Sequence, residues 1–260
     1  MTKAPLLRHA LALTLFALAA HGAHAAPDGA TVTVAAGVAV VPEYAGGDKT
    51  RVMPVVGVDY QNANGFFAST LRGIGYTTTL DGVKLSGALS YGGGRDDSKR
   101  TFGAGSDALR GMGKIDGGAI AAFGAGYDFG PVTFGVNTHL ALSNRDRGNT
   151  VELALSVPLI KDAADQLSMG VTTKYGDSKY NQTYYGVTAA QSARSGYRAY
   201  QAGAGFTSSQ LGVTWRHVVD KNWSVNTVAG AARIIGDAAD SPIVKRVTAP
   251  VLIVTAGYTF

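Results

Sequence analysis

Two side chains four residues apart, His139 and Ser143, are the nearest this 260-residue sequence comes to a catalytic pairing. Asn137 precedes them on the same face of an alternating segment. A serine nucleophile needs an imidazole within hydrogen-bond reach. Residues i and i+4 of a strand stand about 13 Å apart at the strand rise, so the serine would have to come from a neighbouring strand. His139 reads better as a satisfied inward residue. Arg95-Asp96-Asp97 and Asp237-Ala-Ala-Asp240 offer carboxylates, yet neither has the loop pattern of a calcium site. A solvated or salt-bridged turn fits them better. Gly103-Ala-Gly105 and Gly203-Ala-Gly205 lack the strand-to-helix setting of a phosphate loop. With no cysteine, thiol nucleophiles, thiolate metal sites and disulfides are excluded. The expectation is a chain that is not an enzyme, with no catalytic residue, metal or cofactor.

The elements that carry these residues alternate with period two, the period of a strand. In the last ten residues Leu252, Val254, Ala256, Tyr258 and Phe260 form one apolar face, with Thr255, Gly257 and Thr259 opposite. A strand of about ten residues ending in an aromatic suits a bilayer crossing with rings at the interface. Tyr258 and Phe260 resemble the C-terminal assembly signal of outer-membrane proteins, which implies the barrel-assembly machinery as a partner. At the other end, Lys3 and Arg8 precede an apolar stretch from Leu11 to Ala20, and Ala23-His24-Ala25 is a small-x-small cleavage site. That reads as a secretory signal peptide over residues 1–25, leaving a domain over 26–260. Loss of Lys3 and Arg8 lowers the formal charge from +5 to +3, too small a surplus to argue for nucleic acid. No later stretch reaches the roughly 20 apolar residues of a membrane helix.

Alternation alone fits a soluble sandwich as well as a membrane barrel. The polar faces decide: they carry Gly, Ala, Ser and Thr with few charges, as a narrow lumen requires. Lys84, Asp116, Glu152 and Lys174 are the expected lumen-facing charges. Tyr60, Tyr91, Tyr127, Phe129, Tyr175, Trp223 and Tyr258 lie near segment ends, as interfacial girdles do. The fold expected is an all-β antiparallel transmembrane barrel, monomeric, in the outer-membrane bilayer. Strands fall near 31–41, 51–60, 65–77, 83–91, 114–129, 131–142, 150–160, 166–176, 208–218, 222–235 and 249–260. Eleven is odd, whereas single-chain bacterial barrels are even. Twelve strands are favoured over ten, with the status of 31–41 left open. Counting backward from Phe260, the short turns face the periplasm and the longer loops face outward. The same count puts Pro42-Glu43-Tyr44 on the periplasmic side.

Several motifs then fall into one order. Pro42-Glu43-Tyr44-Ala45-Gly46-Gly47-Asp48 with Arg51-Val52-Met53-Pro54, Gly94-Arg95-Asp96, Leu109-Arg110-Gly111-Met112-Gly113, Gln182-Thr183-Tyr184-Tyr185-Gly186-Val187 and Gly236–Val244 together resemble the MipA/OmpV family. The resemblance implies an outer-membrane barrel. In one branch of the family it implies a scaffold for cell-wall enzymes, a murein synthase and a lytic transglycosylase; it carries no catalytic residues. The other reading is a small channel or gated pore. Candidate partner contacts are Pro42, Glu43 and Tyr44, and, in the loop 177–207, Tyr184, Tyr185, Arg194, Tyr197, Arg198 and Tyr200. Rigid tyrosines among arginines suit protein or glycan contact. Alternatively, the loop folds into the barrel mouth, and the Pro42 turn closes the barrel with Glu43 bonded to Arg51.

Overall fold

A computed structural model describes residues 29–260. The expected signal peptide and its cleavage site lie outside the described residues. Twelve antiparallel wall strands close into a barrel: β1 (Thr31–Pro42), β2 (Thr50–Gln61), β3 (Phe66–Ser69), β4 (Gly73–Leu80), β5 (Val83–Gly92), β8 (Gly118–Phe129), β9 (Val132–Ala141), β10 (Thr150–Lys161), β11 (Asp165–Gly176), β12 (Gly205–Val218), β13 (Trp223–Ile234) and β14 (Thr248–Thr259). Two further two-residue strands, β6 (Arg95–Asp96) and β7 (Ala104–Gly105), pair in parallel within the long loop between β5 and β8. Closure runs through β1 and β14, with Thr33 opposite Thr259 and Val40 opposite Leu252. Residues 31–41 therefore do span. The twelfth strand comes from the segment read as one strand over 65–77: it folds at Thr70–Arg72 into the hairpin β3–β4.

The alternation has its expected cause. Outward positions such as Val34, Val38, Leu155, Leu211 and Leu252 are exposed and apolar, which in a bilayer places hydrocarbon against lipid. No helix of the described residues is long and apolar enough to cross a membrane; the strands do so, and closure leaves most of their backbone groups paired inside the sheet. Rings gather at both rims. Trp223 and Phe260 flank Tyr258 at 5.0 and 4.8 Å between centroids, and Tyr127 meets Phe129 at 4.9 Å, all at the Phe260 end. Tyr175 meets Phe206 at 5.6 Å at the other end. Short turns join strands at the Phe260 end. In one of them, Asp81 (φ 49°) and Gly82 (φ 80°) both adopt the left-handed region that a two-residue hairpin turn demands.

The twelfth strand changes a parity. Each hairpin reverses the chain, so the turn between β1 and β2 lies opposite Phe260, with the long loops. The periplasmic placement of Pro42-Glu43-Tyr44 expected from an eleven-strand count is corrected accordingly.

Candidate functional site

The long-loop end of the barrel is closed by an ordered layer. The long loop expected over 177–207 contains two helices, α1 (Ser178–Tyr185) and α2 (Ala189–Ser195), and ends where β12 begins at Gly205. Asp177 caps α1 by accepting from the Tyr180 N–H at 2.7 Å. Thr188 and Gln191 form a capping box on α2, satisfying two otherwise orphaned groups at once. Gly148 permits the close docking of α1: it sits at φ 67°, and a Cβ there would lie 2.1 Å from the Tyr180 nitrogen.

Below these helices lies an apolar cluster of Tyr44, Leu109, Met112, Val187 and Ile243, with Tyr197 and Tyr200 packed against it. The five residues come from four different loops, Leu109 and Met112 sharing one, so burial of the cluster fastens the loops to one another. The Tyr44 hydroxyl donates to the Ile243 carbonyl at 2.8 Å. Burial, joined by the neighbouring acidic groups and Tyr197, pushes this phenol well above its ordinary range. Tyr185 packs in a second cluster with Ala202, Ile234 and Ala238, and burial raises its phenol likewise. Arg95 and Arg147 bolt the layer down. Arg95 donates to the Tyr184 carbonyl; Arg147 reaches the Tyr184 hydroxyl at 3.2 Å and the Gly118 and Gly93 carbonyls at 3.3 and 3.1 Å. Burial lowers the Arg95 guanidinium from its usual range, opposed by the surrounding tyrosines.

Of the expected contact residues, three are buried, Pro42, Tyr184, Tyr197 and Tyr200 are partly exposed, and Arg194 and Arg198 are exposed. Tyr44 is 2% exposed, and Glu43 and Tyr185 are buried too. Glu43 accepts from the Ser106 hydroxyl and does not bond Arg51 across the turn; Arg51 donates instead to the Arg100 and Gly103 carbonyls. Tyr197 donates to the Ala108 carbonyl at 2.7 Å and Tyr200 to the Asp237 carbonyl at 2.6 Å. Arg194 and Arg198 keep exposed side chains while donating to the Gly111 and Asp240 carbonyls at 3.2 Å each. Pro42 ends β1. The loop thus folds into the mouth, and its tyrosines bond the neighbouring loops. Arg95 and Arg147 were not singled out as anchors by sequence: both sit among glycines and charges without periodicity.

Among the expected lumen charges, Glu152 and Lys174 face one another across β10 and β11 at 3.1 Å, with side-chain exposures of 7% and 17%. Lys84 pairs with Asp128 at 3.0 Å near the Phe260 rim, half-exposed. Asp116 is a correction: it precedes β8 in the long loop, lines no wall strand, and pairs with Lys114 at 2.8 Å in solvent. His139 meets the Thr150 hydroxyl at 3.4 Å, whereas the Ser143 hydroxyl accepts from the Ala119 N–H at 2.8 Å. The two do not form a nucleophile–base pair. The acidic pieces are engaged within the protein: Asp97 accepts from the Gly111 and Gly113 N–H groups, Asp96 pairs with Arg100, and Asp237 accepts from the Gly203 N–H. Among the described residues no group of three His, Asp or Glu side chains is placed to hold a metal.

The profile of the family described as MltA-interacting protein MipA matches residues 34–260. No match to a curated protein is found. Among solved structures, OprB of Pseudomonas putida is similar at 11% identity and a TM-score of 0.38, over 80% of this chain and 59% of that one. This chain thus spans little more than half of OprB. A porin refined at 1.8 Å is similar at 11% identity and a TM-score of 0.34, over 89% and 100% of the two chains. OmpF of Salmonella typhi is similar at 17% identity and a TM-score of 0.33, over 84% and 66%. These likenesses are too distant to bear on function.

Proposed function

Because the chain belongs to the MltA-interacting protein MipA family, whose members are non-catalytic outer-membrane barrels, we propose that it is an outer-membrane anchor for cell-wall enzymes. The enzymes in question are a lytic transglycosylase and a murein synthase. The observation that carries the reading is the closed mouth. Tyr44, Leu109, Met112, Val187 and Ile243 pack together above a lumen whose wall holds the Glu152–Lys174 pair. A barrel whose mouth is covered by its own packed loops favours holding partners over passing solutes. The family description, an interacting protein of MltA, supports the same direction.

With Pro42-Glu43-Tyr44 at the far end, contact with a periplasmic enzyme falls to the short turns at residues 62–65, 81–82, 130–131, 162–164 and 219–222. Asp81, Asp162, Asp220 and Lys221 lie in these turns, at the same rim as the Lys84–Asp128 pair. Mixed charge at a rim steers encounter and sets register more than it adds affinity. The test pairs a measurement in intact envelopes with one on the purified barrel. Crosslinkers placed at Asp162 and Lys221 should trap a murein-active enzyme in intact envelopes, and planar bilayers should show no steady current. Steady conductance with no cell-wall partner would favour the channel reading instead.

A further inference from the structure

Between β2 and β5 the wall is complete only toward the Phe260 end. β3 has 4 residues and β4 has 8. β3 meets β2 only at Asp59, Tyr60 and Gln61. Just past β3, Thr70 donates its N–H to the Val58 carbonyl at 3.0 Å, and its hydroxyl accepts from the Val58 N–H at 3.1 Å. There the hairpin turns back. β2 runs on through residues 50–57 with β1 along one edge and, among the described residues, no strand along the other.

The chemistry of that open edge can be read residue by residue. Val58 directs both backbone groups toward the hairpin, so period two sends the N–H and C=O of Val56 and Val52, and the carbonyl of Pro54, the same way. Pro54 is the independent mark. Within a sheet, proline is tolerated where its missing N–H would face no partner, and this is such a position. Exposure agrees: Val52 and Val56 are 70% and 74% exposed, against 49% for Val38 on the fully paired β1. On the far rim, pairing of β5 with β4 stops at Leu89, leaving Tyr91 beyond it. The hairpin holds β2 and β5 three strand spacings apart, about 14 Å. Exposed Leu71 and Ile74 floor the slot.

Unpaired backbone groups facing hydrocarbon demand partners. Along this edge they recur every second residue, about 7 Å apart. An acyl chain offers nothing to them, whereas an extended peptide matches them group for group. A second copy of this barrel fits poorly. Two β2 edges paired antiparallel would invert one barrel across the bilayer, and paired in parallel about the membrane normal they would turn one lumen face to lipid.

We infer that residues 52–56 of β2 form a strand-acceptor site, which takes an extended, alternately apolar segment of a partner polypeptide by β-augmentation. The inference goes beyond the anchoring reading and stands or falls apart from it. The test uses the full mature barrel in lipid nanodiscs. The probe is a synthetic peptide of about eight residues alternating Val and Thr, long enough to cover the edge. Saturable binding that slows amide exchange at both Val52 and Val56 about tenfold or more is expected. A peptide N-methylated at every residue should lack that effect, since neither of its edges can donate to β2. Unchanged exchange with the first peptide overturns the proposal. Equal slowing by both peptides, or amides already slow in lipid alone, also overturns it, because lipid or the barrel itself then covers the edge.

Discussion

Replacing Lys174 by methionine should weaken the barrel more than any single change on its lipid face. Lys174 lies 3.1 Å from Glu152, and both side chains are mostly buried. The Glu152 Oε1 atom is buried, and the ammonium 3.1 Å away is what compensates it. At an effective dielectric of 20, two unit charges at this separation attract by about 5 kcal/mol. Removal of one partner from a buried pair costs about 3–5 kcal/mol, and the two figures agree. In urea, with a slope of about 3 kcal/mol/M, a loss of about 4 kcal/mol moves the unfolding midpoint down by more than about 1 M. The assay is the fraction of heat-modifiable folded band across a urea series in detergent. The double variant Lys174→Met with Glu152→Leu should recover about 1–4 kcal/mol, because it leaves no orphaned charge. A single variant that loses less than about 1 kcal/mol, or a double variant no better than the single, would refute the reasoning.

Tyr44→Phe removes the donor to the buried Ile243 carbonyl and should cost about 1–3 kcal/mol; an unchanged urea midpoint would count against the mouth cluster as a fastening. Burial raises the phenols of Tyr44 and Tyr185 above the ordinary 10.0. Their contribution to stability is thus full below pH 10 and falls as the pH climbs toward the folded values, where only the unfolded chain ionises. Phenolate absorbance should show both tyrosines silent near pH 10 until the barrel opens. Gly148→Ala meets both the positive φ and the Tyr180 backbone; it should loosen α1 and raise protease sensitivity within residues 177–204 while the wall stays folded. Phe260→Asp places a charge in the terminal aromatic group and should lower the amount of folded protein in the outer membrane; normal levels would argue against Tyr258 and Phe260 as an assembly signal.

The wall was legible in the sequence because lipid and lumen impose opposite preferences on alternate residues, as along Val151–Leu159 and Leu167–Tyr175. What escaped was a single tight fold. Ser69, Thr70, Leu71 and Arg72 contain neither glycine nor proline, and the apolar alternation resumes at Ile74, so a hairpin read as one strand. Gly73, at φ 88°, was the one local signal. The error was small in residues and large in consequence, since one uncounted reversal moved Pro42-Glu43-Tyr44 across the membrane. The helices of the tyrosine loop had a readable cue in Thr188 and Gln191, spaced as a capping box. The contacts of Arg95 and Arg147 had none: they join loops far apart in sequence, and only closure of the barrel brings those loops together.

The anchoring role is tested most directly by the affinity of the purified barrel in nanodiscs for the soluble domain of a lytic transglycosylase. Saturable binding is predicted, weakened by Asp162→Ala and Lys221→Ala in the short turns and untouched by Arg194→Ala and Arg198→Ala at the opposite end. Absence of binding, or binding lost through the loop-end changes alone, would contradict it.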